Sequence, residues 1–365
     1  MTSFKIIPYK STRYTVSVSP DIGTLDPEGN RAAIIEITLE MPFTTGLDLE
    51  IPLVFWRGGE DDYMKMMEFG KYANHDVFVC PLRSQVMCAD SPFVDPEKVV
   101  VDKTKRLGKG PTGFVYRGRY CGQDVACKVM RGHWEEDREL ERKHFMADIN
   151  TVAQIPAHPC IVTFFGAVAE PGNYCLIMEL CPYRSLLTTM GKHKDAWTNL
   201  MKVKAMYDCA CAMNFLHQNG IVHRDMKLEH LLVVSLDPHS QVVCKLSGFG
   251  VTVKKPRAMK QSLTMSETGV GTPLYMAPEL LHKDGRYTNK VDVYSFGITL
   301  AGTINGRKPY EDQSFSSVYD FMRGVVVDGM RPKVKNADSM PSDLITLMQQ
   351  CWDADPDKRP SFEII

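Results

Sequence analysis

The sequence carries almost no excess charge of either sign: 43 Lys and Arg stand against 44 Asp and Glu, a formal net charge of -1 over 365 residues. Recruiting nucleic acid or an anionic membrane surface by bulk electrostatics needs a surplus of basic side chains, so that class of partner is excluded, local patches aside. Also missing is any apolar run of membrane-spanning length. The opening MTSFKIIPYKSTRY has no uninterrupted apolar core of the kind a secretory signal needs. The 11 cysteines are odd in number and follow neither finger nor redox spacing, which argues against a disulfide framework and for reduced thiols. These absences predict a soluble, cytoplasmic protein. What is present is ordinary globular composition, 44% hydrophobic and 24% charged, in a chain long enough for two domains.

The first domain, residues 1–95 with its linker, reads as all-β. Short runs rich in β-branched and aromatic residues, FKII, YTVSV, AAIIEITLEM and LDLEIPLVF, are separated by the turn segments PDIG and DPEGN. The alternation from Ile34 to Glu40 puts one row of side chains inward and the next outward, as in a half-buried strand. Strands at this spacing predict a β-sandwich. Phe4 to Met41 also resembles the major-sperm-protein-like, immunoglobulin-type sandwiches, through Phe4, Tyr14 and a P-x-x-G-x-L-x-P turn. Such a module serves either binding or spacing. Residues 58–98 are less regular: Tyr63 to Tyr72 fits a short helix, and Ala89 to Pro96 fits a linker.

The second domain, residues 96–365, is organised around HRDMKLEHLL and KLSGFG. Upstream, LGKGPTGFVYRG sets Gly108, Gly110 and Gly113 in a G-x-G-x-x-G-x-V pattern closed by Val115, and Val125-Ala126-Cys127-Lys128 follows at hairpin distance. Downstream come GTPLYMAPE, DVYSFG and the C-W…R-P run from Cys351 to Pro360. In this order the motifs resemble the protein kinase family, tyrosine-kinase-like branch. The resemblance implies an α+β, bilobal fold with an N-lobe over 96–181 and a C-lobe over 182–365. Strands of the sandwich type ahead of Phe4 and a helix past Ile365 are both expected in such families, so a truncated variant or part of a longer polypeptide is the expectation for this chain.

Carried over by the resemblance, the glycines and Lys128 would hold the phosphates of ATP, while Val115, Ala126 and Leu232 would enclose adenine. Met178 would be the gatekeeper, and the backbones of Glu179 and Cys181 would bond the adenine edge. In the αC segment Phe145, Ile149, Val152 and Ile155 recur at helical spacing, which puts Asp148 where the family has the glutamate that pairs with the lysine. Asp148 is either that partner, one methylene short and needing a closer helix or a bridging water, or a solvated charge. Asp225 would orient the substrate hydroxyl, and Lys227 resembles the Ser/Thr-type loop. Ser262, Thr264, Ser266 and Thr268 are either phosphosites or hydroxyls of a solvated loop.

Three further positions depart from the pattern. Pro111, at the tip of the glycine loop, has no N–H to give a phosphate. The two positions that hold magnesium in the family are His230, which offers nitrogen, and Gly248, which offers no side chain. If each loss costs ~3 kcal/mol independently, the rate falls roughly ten-thousand-fold. The implied ligand is therefore ATP, with or without magnesium, and the implied partners are proteins, as substrates or as regulated targets. The readings open at this stage are a nucleotide-binding pseudokinase, a slow Ser/Thr kinase, and an interaction module working through the β domain.

Overall fold

The computed structural model describes residues 92–110, 112–130, 138–170, 172–254, 263–264, 272–281 and 286–365, and strand backbones within 1–91. In that first region the strands are β1 (Thr2–Ile6), β2 (Tyr9–Lys10), β3 (Tyr14–Ser19), β4 (Ile22–Leu25), β5 (Ile34–Leu39), β6 (Leu47–Arg57) and β7 (Val77–Val86). They pair into two antiparallel sheets, ordered β4-β1-β6-β7 and β2-β3-β5. Each of the four predicted runs contains one of these strands. The ten-residue β7 was not legible, because VFVCPLRSQV carries a proline and the consecutive polar residues Arg83, Ser84 and Gln85 where alternation is sought. The helix expected at Tyr63 to Tyr72 lies outside the described residues.

The N-lobe is a five-stranded antiparallel sheet of β8 (Val99–Lys109), β9 (Gly113–Tyr120), β10 (Gln123–Met130), β11 (Phe164–Glu170) and β12 (Asn173–Glu179), ordered β11-β12-β10-β9-β8. Helix α1 (Arg138–Val152) packs on it: Phe145 and Ile149, fully buried, meet Phe164, Tyr174 and Leu176. The helix stops at Val152, so Ile155 reaches the core from the following turn and not from the helix. The expected linker is tied down at its C-terminal end. Pro92 and Val94 exchange two backbone hydrogen bonds with Ala167, extending the sheet past β11.

The C-lobe is mainly helical. It contains α2 (Leu186–Lys192) and α3 (Asn199–Gln218), each started by a hydroxyl N-cap, Ser185 and Thr198, that takes up an otherwise unpaired amide. The hairpin β14 (Leu231–Val233) with β15 (Cys244–Leu246) and the ribbon β13 (Ile221–Val222) with β16 (Val253–Lys254) carry the catalytic loop between them. Behind them runs α4 (Lys290–Asn305), buried on nearly every face from Val291 to Ile304, as its all-round apolar sequence requires. Nine cysteines lie among the described residues and all are free. No described helix is long and apolar enough to cross a membrane.

Candidate active site

The catalytic loop is suspended from one buried carboxylate. Asp292, at the start of α4, accepts the N–H groups of His223 (2.9 Å) and Arg224 (2.8 Å), and lies 2.8 Å from His217 Nε2. Burial opposes its charge, but these donors outweigh it and hold its carboxyl below the usual range. His223 Nε2–H donates to the Ser247 carbonyl at 3.0 Å, which fixes the tautomer and leaves Nδ1 to accept the Asp225 N–H at 3.3 Å. Arg224, with φ 66°, turns its guanidinium to the Val251 carbonyl and the Tyr287 hydroxyl. Further down, Arg359 forms a two-pronged pair with Glu279 at 2.6 and 2.9 Å.

Around Asp225 three side chains close a ring. Lys227 Nζ donates to Asp225 Oδ2 (2.8 Å) and to Thr272 Oγ1 (2.6 Å), and the Thr272 hydroxyl donates to Asp225 Oδ1 (2.9 Å). Sequence reading singled out Asp225 and Lys227 but not Thr272. Its signal was the Gly-Thr ahead of PLYMAPE, 45 residues from Lys227 and readable only as part of a motif. The lysine and the hydroxyl together hold the carboxylate in one orientation.

On the nucleotide side, Lys128 Nζ meets Asp148 Oδ2 directly at 3.3 Å, both largely buried. The shorter acid therefore reaches without a bridging water, because α1 sits close on the sheet through Phe145 and Ile149. Val115 and Lys128 are cross-strand partners, as are Ala126 and Met178, and Leu232 stands opposite Lys245 in the β14–β15 hairpin. Of the three motif glycines only Gly113 is required by the protein's own packing, since a Cβ there would lie 2.2 Å from the Val129 carbonyl. At Gly108 and Gly110 nothing approaches closer than 3.9 Å. Pro111 lies outside the described residues.

The hinge brings a pair that sequence reading missed. The Glu179 N–H is committed to the Thr163 carbonyl at 2.9 Å, and its side chain grips Lys245 at 2.6 and 2.8 Å while accepting the Thr163 N–H at 3.2 Å. Cys181 is buried, its carbonyl accepts from Arg184, and burial pushes its thiol up to about 12. Of the candidate phosphosites, Ser262, Ser266 and Thr268 lie outside the described residues, and for Thr264 only the strand backbone is described.

The metal end is built differently. Gly248 adopts φ 88°, ψ 39°, a left-handed conformation, and the buried Phe249 follows it. His230 sits over Gly248 with its Nδ1 2.7 Å from the Asp225 carbonyl. A carbonyl only accepts, so Nδ1 carries the proton. Burial pushes the pKa of His230 down to about 4, which keeps the ring neutral. Magnesium needs a near-octahedral set of oxygens. Here Gly248 supplies none, His230 supplies nitrogen, and both Asp225 oxygens are already engaged. Among the described residues no cluster of three or more His, Cys, Asp or Glu is arranged to hold a metal. The donor set does not fit magnesium.

Comparison with known proteins agrees with this architecture. The family described as protein tyrosine and serine/threonine kinase matches residues 101–365. Serine/threonine-protein kinase STY17 of Arabidopsis thaliana is 33% identical over 274 residues, 74% of this chain and 44% of that protein. Dual specificity protein kinase shkD of Dictyostelium discoideum is 35% identical over 277 residues, 75% of this chain and 34% of the relative. A third, named "Probable serine/threonine-protein kinase gdt4" from the same organism, is 28% identical over 362 residues, 99% of this chain but 20% of its own length, so that match includes the β-rich region. The chain spans less than half the length of each of these relatives. With a sheet-built lobe, a helical lobe and the suspended catalytic loop between them, this chain belongs to the protein tyrosine and serine/threonine kinase family.

Proposed function

We propose that this chain is a nucleotide-binding kinase domain with impaired phosphotransfer, acting on protein partners as a regulator or scaffold. One observation carries the reading: the family's two metal-holding positions are Gly248 and His230, which together offer no side-chain oxygen. Phosphoryl transfer depends chiefly on positioning and charge neutralisation at the phosphates, so loss of both ligands removes the largest contribution a protein makes there. ATP would still be held through Lys128, the glycine loop and the apolar walls Val115, Ala126 and Leu232, with Met178 at the back and the backbones of Glu179 and Cys181 at the adenine edge. The two N-terminal sheets are read as a β-sandwich module attached to that domain, which their antiparallel pairing supports.

A second reading, a slow Ser/Thr kinase, is favoured by the closed ring of Asp225, Lys227 and Thr272, which is the arrangement that would orient a substrate hydroxyl. Two measurements separate the readings. ATP should raise the melting temperature equally with magnesium and with EDTA, and Lys128→Met should abolish that shift. Transfer from radiolabelled ATP to a generic protein substrate should stay near background. Robust transfer lost in Asp225→Ala would establish the second reading in its place.

A further inference from the structure

On the sequence, His230 and Gly248 look like two separate losses. We infer that they are one steric unit, in which His230 bars any side chain, and so any carboxylate, from position 248 and thereby sets the cation preference of the cleft. A Cβ placed on Gly248 would lie 2.2 Å from His230 Nδ1, 2.4 Å from Cγ and 2.6 Å from Cε1. Real Cβ atoms do not approach so closely, so either the ring or the backbone has to move.

The ring is not free to move. Its Nδ1–H donates to the Asp225 carbonyl at 2.7 Å, its own N–H donates to the Lys227 carbonyl at 3.0 Å, and its carbonyl accepts both the N–H and the hydroxyl of Ser247 at 2.8 Å. The Ser247 carbonyl in turn accepts from His223, which hangs from Asp292. Residue 230 is thus stitched on one side to the loop that carries Asp225 and on the other to the strand end just before Gly248. Swinging the imidazole aside would strand the Asp225 carbonyl beside the very carboxylate that faces substrate. His230 acts here as a positioning residue: it keeps the loop's internal hydrogen bond while its ring fills the seat of a metal-binding side chain.

Order follows from this geometry. A carboxylate cannot be restored at 248 while the imidazole is in place; the ring has to go first. The steric claim needs no nucleotide, so it is decided independently of the function proposed above, and only the cation readout rests on that reading.

The test is a double-mutant cycle on the full chain, read as melting temperature. Gly248→Ala alone is expected to lower it by about 5 °C, through overpacking and the left-handed backbone. In a His230→Ala background the same change should cost less than half of that, since only the backbone contribution remains. Equal drops in both backgrounds would overturn the inference. The second measurement adds ATP: Gly248→Asp with His230→Asn should show an ATP shift that EDTA removes, and Gly248→Asp alone should not. A fully stable Gly248→Asp single variant with a magnesium-dependent shift would equally overturn it.

Discussion

The frame beneath the catalytic loop and the metal end that it carries are joined through His223 and Ser247, yet they are built to opposite specifications. In the frame, Asp292, His223, Arg224, Glu279 and Arg359 each have partners at hydrogen-bond distance, and Arg359 is almost completely buried. At the metal end, a glycine and a neutral imidazole replace two oxygen ligands. The difference teaches that loop geometry and metal chemistry are separable. The frame places Asp225 through bonds at the His223, Arg224 and Asp225 amides that need no metal ligand, and the His230 side chain adds a bond to the Asp225 carbonyl.

The sharpest way to break the comparison is in the frame. Arg359→Ala leaves the half-buried Glu279 without its partner and should cost about 3 kcal/mol of unfolding free energy, measurable by urea denaturation. A loss below about 1 kcal/mol would show that the frame is no more essential than the metal end. Next in size is Asp292→Asn. It removes the charge that two loop amides and His217 address, and turns a donor toward one of them, for an expected loss of about 3 kcal/mol. The same substitution should raise hydrogen exchange at the His223 and Arg224 amides, and unchanged exchange would mean that the loop is held by something else.

The smallest effect concerns the turn that joins α1 to the sheet. His158 is stacked on Phe215, its Nδ1 accepts the Cys160 N–H, and burial followed by the nearby Lys245 pushes its pKa from 6.5 to about 4. The folded state thus disfavours the protonated form. Its contribution is fully present above pH 6.5 and is lost as pH falls through the window from 6.5 to 4. By linkage, and reduced by the screening that its partial exposure allows, about 1 kcal/mol should disappear between pH 7.5 and 5. His158→Asn keeps an acceptor without titrating, so its stability profile should be flatter over that window. A profile parallel to the wild type would assign the acid sensitivity to other groups.

Much of the kinase half was legible because its signals are local and exact in spacing. Lys128, Asp225, Asp292, Glu279 and Arg359 each sit in a motif a few residues long that reads directly off the chain. Asp148 was legible as a position but not as a contact, since whether a shorter side chain reaches Lys128 depends on how near α1 stands to the sheet. Thr272 and the Glu179–Lys245 pair were not legible: their partners are 45 and 66 residues away, and neither carries a periodic or turn signal. The strand β7 was missed for a different reason, because paired proline and polar positions hide alternation from any single-strand reading.

By itself the sequence determined the order of elements, the two-lobed plan and the two positions that lack metal oxygens, because side-chain chemistry and local spacing travel with the chain. Only the tertiary structure decided that these two positions are one. Gly248 and His230 are separated by 18 places in the sequence, and the volume that a Cβ would take is already filled by an imidazole. Excluded volume between distant residues has no local signature, and it appears only once the fold has brought both backbones to the same point.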